Sequence, residues 1–308
     1  LYIAFISMAS AHHLLVDPGF GPSWKIVNTS YFMYMAVLAS MLHGFTVPAG
    51  VEMGMRLRGH TQGLFGWLRR APWHDPGFSS LVLSVVVFGF VGGITGVTFG
   101  TEQINIVAHN TLRIPGHFHA TVVSGTAMAF MGVTYYVIPL IFRKRVAFYS
   151  LARIQPYVFA IGMLIFSLSM TFAGTFGVPR RHYDITFAGA PFSLEFSRAF
   201  NLMMAITAIG GLIAAAGGGI YILVTVWSVF FGKPLGDDHS EAALAGHVPP
   251  GLYKKPFLEL PTDDTELEEH GVLGMMPGTM ILVMIFMVAF VVYYFANWKL
   301  LSAMWQIG

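Results

Sequence analysis

The stretch Pro115-Gly116-His117-Phe118-His119-Ala120 opens a long apolar run that ends near Phe142. On a helix, residues two apart lie about 200° apart around the axis, so the two imidazoles point to nearly opposite sides. That spacing does not chelate one ion, as a helical pair at i and i+4 does. It suits a helix wedged between two metal centres, each taking one imidazole. The competing account is a pair of packing histidines with satisfied hydrogen bonds. Both residues fall inside an apolar span, where ionisable side chains are costly and by default functional, and this favours the metal reading.

The remaining composition agrees with a membrane setting. The 308 residues are 55% hydrophobic and 10% charged, against about 25% charged in soluble domains, and the mean hydropathy is +0.66. The fold class expected is an all-α integral membrane protein, a polytopic bundle of transmembrane helices. With no cysteine, disulfides, zinc fingers and iron–sulfur clusters are excluded, and a metal must be held by imidazole, carboxylate or thioether. A net charge of +2 gives no reason to expect nucleic acid as a partner. The chain opens at Leu1, inside an apolar segment, and looks like the tail of something longer.

A spanning helix needs about 20 apolar residues. Leu1 to Ala11 is shorter and reads as the end of a seventh helix. Six full spans follow, near 25–51, 79–99, 115–142, 155–176, 196–231 and 273–298. Pro18, Gly19, Gly21 and Pro22 mark a turn before the first of them. Glycine patches at Gly92-Gly93, Gly210-Gly211 and Gly217-Gly218-Gly219 are suited to close helix packing. Residues 1–308 are read as one transmembrane domain.

Loop charge sets the orientation. The loop 52–78 holds Arg56, Arg58, Arg69 and Arg70, and 143–154 holds Arg143, Lys144, Arg145 and Arg153, whereas 12–24 has no arginine and 100–114 has Arg113 alone. The loops 52–78, 143–154 and 232–272 are therefore cytoplasmic, and 12–24, 100–114 and 177–195 lie outside. The loop 232–272 carries nine of the fifteen acids and reads as a solvated linker within the domain. The outer loop 177–195 breaks the rule with Arg180-Arg181, for which an anionic partner is one explanation and a solvated surface pair the other.

This topology sorts the chemistry. His12-His13, His109, His117, His119 and His182, half of the twelve histidines, fall at the outer end together with Arg180-Arg181. Imidazole pairs suit copper, zinc or iron, and His12-His13 reach one ion where a helix is ending, as Asp17-Pro18-Gly19 suggests. Arginine forks hold carboxylates bidentately, which fits the propionates of an iron porphyrin.

Taken together, Ser10-Ala11-His12-His13, Val107-Ala108-His109-Asn110-Thr111, Pro115-Gly116-His117-Phe118-His119 and Val178-Pro179-Arg180-Arg181 resemble subunit I, the catalytic subunit, of the heme-copper terminal oxidases. Asn110-Thr111, Gly116 and the loop from Leu57-Arg58-Gly59 to Gly66-Trp67-Leu68 resemble its B-type branch. The resemblance covers the end of the seventh span through the thirteenth. It implies two hemes, one low-spin and one high-spin, and one copper. By it His12 and His13 are copper ligands and His117 is the proximal ligand of the high-spin heme. His119 is an axial ligand of the low-spin heme, with Phe118 between the two. His109, Asn110, Arg180 and Arg181 lie at the propionates. Asn105 stands where most of these oxidases carry aspartate, a departure shared with nitric oxide reductases. Those enzymes usually place glycine where this chain has Phe118.

The activity implied is reduction of dioxygen to water, with electrons passing through the low-spin heme and protons taken from inside. The alternatives are nitric oxide reduction, a proton- or metal-transporting bundle without heme, and a heme electron carrier without oxygen chemistry. The resemblance places a third copper histidine, a linked tyrosine and a second low-spin ligand upstream. It also implies subunit II and small membrane subunits, cytochrome c or another donor, surrounding lipid and a prokaryotic cell membrane with the metal sites toward its outer face. Ser40, His43 and Thr46 lie at i, i+3 and i+6 on one helix face. They are either a proton path or polar groups bonded back to their own helix. Glu52 is a second candidate for proton uptake.

Overall fold

A computed structural model describes residues 3–4, 19, 21–28, 33–181, 197–235 and 276–304. Six helices among the described residues are long and apolar enough to cross a membrane, which establishes the all-α, polytopic expectation. They are α1 (Met33–Leu57), α2 (Pro76–Gly100) and α3 (Arg113–Ile141), α4 (Tyr149–Thr175), α5 (Arg198–Phe231) and α6 (Pro277–Met304). Short helices at Gly66–Arg70 and Glu102–Ala108 occupy segments expected to be loop. The seventh half-span, His12, His13, His182 and most of 232–272 lie outside the described residues.

The helix ends follow local chemistry. The Asp75 carboxylate accepts from the Phe78 amide at 2.8 Å, with Pro76 at the first helical position of α2, an arrangement that satisfies an otherwise orphaned donor. Ser197 caps α5 in the same way. Helix α1 departs from the expected 25–51: a separate short helix occupies Pro22–Val27, and α1 continues past Glu52 to Leu57. Hydropathy stops at the first charged residue, but Arg56 Nε donates to Glu52 Oε1 at 2.8 Å across one turn, so the polar end remains helical.

Helices α4 and α5 form the closest pair. A Cβ on Gly210 would lie 2.5 Å from the Phe166 amide nitrogen, one on Gly217 2.7 Å from that of Phe159, and one on Gly162 would strike the Ala214 backbone. Gly211 and Gly218 meet only side-chain ring atoms at 3.3 Å and 3.9 Å, and Gly219 meets nothing within 4 Å. Only Gly210 and Gly217 of these two patches approach the partner backbone, as a 3.6-residue period requires.

Both helices around the histidine pair contain π-helical turns, at Phe88–Gly93 in α2 and His119–Ala127 in α3. The two segments face each other. A Cβ on Gly92 would lie 2.5 Å from Thr121 Cγ2, and one on Gly125 2.6 Å from the Phe88 ring. Such turns are rare and concentrate at functional sites. Here the widening begins at His119 itself.

Candidate functional site

His117 is 7% exposed and points at α2. A Cβ on Gly96 would come within 2.8 Å of its Cε1, so the absence of a side chain there makes the space the imidazole fills. The Phe99 ring meets it edge-on at 5.5 Å between centroids. Its Nδ1 lies 3.0 Å from Thr95 Oγ1. That hydroxyl has one proton and two carbonyls in reach, Val91 at 2.5 Å and Gly92 at 3.0 Å. It therefore accepts from Nδ1–H, and the lone pair falls on Nε2.

His119 turns the other way, toward α4, with its ring 5.1 Å from that of Phe166. Its Nδ1 is 2.7 Å from the Pro115 carbonyl oxygen, which only accepts, so here too the proton is on Nδ1 and the lone pair on Nε2. Metal-ligating histidines characteristically have this second contact. Phe118, 41% exposed, stacks on His119 with centroids 4.7 Å apart. Gly116 sits where a Cβ would collide with Thr171 and lie 2.8 Å from the Ser167 carbonyl oxygen, bringing α3 hard against α4 beside both imidazoles.

The loops that carry His109-Asn110 and Arg180-Arg181 are joined. Thr111 and Pro179 form an antiparallel bridge, Leu112 N donates to the Val178 carbonyl at 2.9 Å, and Arg180 N to the Asn110 carbonyl at 2.8 Å. His109-Asn110 and Arg180-Arg181 are thus held side by side at the end where α3 begins and α4 ends. Arg181 is in the left-handed region with φ 65°, costly for a non-glycine residue and frequent at functional sites. Burial, and then the neighbouring Arg181 charge, lower the Arg180 pKa from its usual value. The buried Nε of Arg180 has no hydrogen-bond partner among the described residues.

Asn105 is 1% exposed and its Nδ2 donates to the Phe99 carbonyl at 2.8 Å. It secures the turn that carries Phe99, and through Phe99 it buttresses His117. Arg113, expected in the outer loop 100–114, is instead the first residue of α3 and fully buried. The site residues that the sequence reading missed are Thr95, Gly96, Phe99 and Arg113. Arg113 alone left a signal, lying one helical turn before His117.

On α1, Ser40 and His43 line a largely apolar cavity of about 450 Å³ between α1, α2, α3 and α6, to which Ser84 and Thr126 also contribute. Thr46 is exposed and its hydroxyl donates to the Leu42 carbonyl at 2.6 Å, so it does not continue the row. Glu52 is fully buried. It accepts from Arg56 Nε, Gly278 N, Thr279 N and Thr279 Oγ1 at 2.6–3.0 Å. Four donors fill a carboxylate's lone-pair sites, and Glu52 is committed to capping α6.

The donor set suits heme iron. Each imidazole has its Nδ1 within hydrogen-bond reach of an oxygen of its own chain, the two rings diverge to different neighbours, and cationic groups gather where α3 begins and α4 ends. His12 and His13, the expected copper ligands, lie outside the described residues.

Comparison with known proteins gives a consistent picture. The family described as Cytochrome C and Quinol oxidase polypeptide I matches residues 1–213. A cytochrome c oxidase subunit 1 of Thermus thermophilus is 33% identical over 216 residues, 69% of this chain and 38% of that protein. Its namesake from Bacillus subtilis is 26% identical over 261 residues, 82% of this chain and 36% of that protein. A heme-copper terminal oxidase dimer solved by cryo-EM superposes with a TM-score of 0.67 at 25% identity, covering 92% of this chain and 48% of the solved one. The chain spans less than half the length of each of these three.

Proposed function

This chain belongs to the cytochrome c and quinol oxidase polypeptide I family, the subunit I family of the heme-copper oxidases, and from that premise we propose that it serves a terminal oxidase of the B-type branch, reducing dioxygen to water. The observation that carries the reading is the divergence of His117 and His119. One imidazole is enclosed by α2 and the other faces α4, each with its Nδ1 proton anchored within its own chain. A single metal does not use such a pair, and two hemes on either side of one helix do.

In this proposal Nε2 of His117 holds the high-spin heme, while Thr95 and Gly96 keep the ring's tautomer and position. His119 holds the low-spin heme through Nε2, oriented by the Pro115 carbonyl. Phe118 fills the space between. His109, Asn110, Arg180 and Arg181 would bind the propionates, carried on loops whose backbones are paired. His12 and His13 hold the copper. The heme iron and copper, when bound, supply the electron storage and oxygen chemistry. Ser40 and His43, on the cavity between α1, α2, α3 and α6, would offer exchangeable protons on the way to the site. Subunit II, small membrane subunits and cytochrome c or another donor complete the assembly in a prokaryotic cell membrane, with the metal sites toward its outer face.

The test is a visible spectrum and metal analysis of the purified complex. A Soret band, two hemes and one copper are expected. A preparation without a Soret band refutes the proposal in favour of a transporter. Non-heme iron by EPR with no copper points to nitric oxide reduction.

A further inference from the structure

Arg113 is 0% exposed, at the start of a membrane-spanning helix, and a guanidinium stays charged in any protein environment. Its Nη1 donates to Thr175 Oγ1 at 2.6 Å and its Nη2 to Asn297 Oδ1 at 3.0 Å. Both acceptors are neutral. Its Nε has no hydrogen-bond partner among the described residues, where the one carboxylate ion pair is Glu52–Arg56. A buried charge whose hydrogen-bond acceptors among the described residues are all neutral is costly, and removing the charge while keeping the hydrogen bonds would have been an easy sequence change. The cation therefore calls for a reason.

Its surroundings supply one. The guanidinium carbon lies 5.6 Å from the centroid of the Phe99 ring, and the same ring meets His117 edge-on at 5.5 Å. Those separations cap the distance from guanidinium to imidazole at about 11 Å, well within the reach of an unscreened charge. Residues 113 and 117 are also one turn apart, within about 40° of each other around α3, whereas 113 and 119 differ by about 120°. The fixed charge thus shares a face with one imidazole and not with the other.

We propose that Arg113 is an electrostatic tuning residue that raises the reduction potential of the heme held by His117 relative to that held by His119. The inference rests on the assignment of these two histidines to two hemes. A positive charge favours the iron state with one electron more, because reduction lowers the net positive charge nearby. At that limiting separation of about 11 Å from the imidazole, a unit charge at an effective dielectric near 20 biases a one-electron equilibrium by about tenfold. Thr175 and Asn297, contributed by α4 and α6, hold the guanidinium in place. They give the end of the last helix a part in the site.

The experiment is a spectroelectrochemical titration of both hemes in the purified complex, comparing the wild type with Arg113→Gln, Arg113→Lys and Asn297→Asp. Arg113→Gln is expected to shift the His117 heme about tenfold toward the oxidised form, equivalent to about 59 mV for one electron, with a smaller change at the His119 heme. Arg113→Lys retains the charge and keeps most of the wild-type potential. Asn297→Asp sets a carboxylate beside the intact guanidinium and shifts the His117 heme in the same direction as Arg113→Gln, so it decides the matter if the latter fails to assemble. Full heme content with the His117 heme unshifted in the variants that assemble, or with the larger shift at the His119 heme, overturns the inference. A wild-type complex without heme overturns the functional reading beneath it instead.

Discussion

Replacing Gly96 by alanine tests whether the space beside His117 is built for its imidazole. The backbone there is helical, so on propensity alone the change stabilises by about 1 kcal/mol. The new Cβ, however, would stand 2.8 Å from His117 Cε1, and an ordinary contact requires the ring to retreat by about 0.6 Å. A retreat of that size away from α2 stretches the 3.0 Å contact with Thr95 Oγ1 to about 3.6 Å, beyond a hydrogen bond. Overpacking of this kind costs about 1–3 kcal/mol, and a buried donor left unmet costs about 1–3 kcal/mol more, so the propensity gain is outweighed. The assay is total heme by pyridine hemochrome, together with the carbon monoxide difference spectrum of the reduced complex, which reports a heme with an open coordination position. The carbon monoxide signal should fall severalfold in Gly96→Ala while the low-spin bands persist. Gly93→Ala is the control: it lies nearly one turn earlier, and its Cβ meets only the Phe88 carbonyl oxygen at 3.6 Å. Wild-type carbon monoxide binding in Gly96→Ala, or an equal loss in Gly93→Ala, would refute the reasoning.

Thr95→Val removes the acceptor for His117 Nδ1 while keeping the shape, and should weaken retention of the His117 heme by about 10–100-fold, the usual effect of losing a contact behind a metal ligand, read as heme lost during dialysis against apomyoglobin. His119→Ala should abolish the low-spin bands and leave the carbon monoxide signal at least partly intact, since the two rings face different helices; equal loss of both hemes counts against the geometry. Arg180→Gln should lower heme potentials without abolishing heme binding, because a propionate loses one of several partners, and an unchanged redox titration would return the arginine pair to the protein surface. Glu52→Ala strands the Gly278 and Thr279 donors at the start of α6 and should cost about 1–3 kcal/mol of stability, measured by thermal unfolding in detergent. Proton uptake in the surviving protein should be unchanged, and a selective loss of uptake would show that the carboxylate does more than cap a helix.

Much of the arrangement was legible in the residues themselves. Twenty-residue apolar runs located all six spans. The two-residue spacing of His117 and His119 set the rings apart, and the charge of the loops placed His109-Asn110 at the same end as Arg180-Arg181, where their backbones are indeed paired. These features are local: hydropathy, helical period and loop charge are properties of a short window. The row Ser40, His43 and Thr46 was misleading for the same reason. Periodicity puts the three on one face, but Thr46 satisfies its hydroxyl within α1 while Ser40 and His43 open onto a cavity made by other helices.

Tertiary structure decided the rest. Thr95, Gly96 and Phe99 matter because α2 crosses α3 beside His117, and nothing within α2 announces that crossing. The π-helical turns lie where Gly92 meets Thr121 and Gly125 meets Phe88, contacts between helices that no single-helix period encodes. Glu52 looked like a proton acceptor until the start of α6, more than two hundred residues away in sequence, filled its oxygens. Arg113 looked like a loop charge until α4 and α6 closed over it. The sequence alone determined which segments are long and apolar enough to cross a membrane and which side chains have the chemistry to ligate a metal, because hydropathy and ligand type are properties of the residues. The fold determined which groups orient, charge and enclose those side chains, because each of those contacts joins helices far apart in the chain.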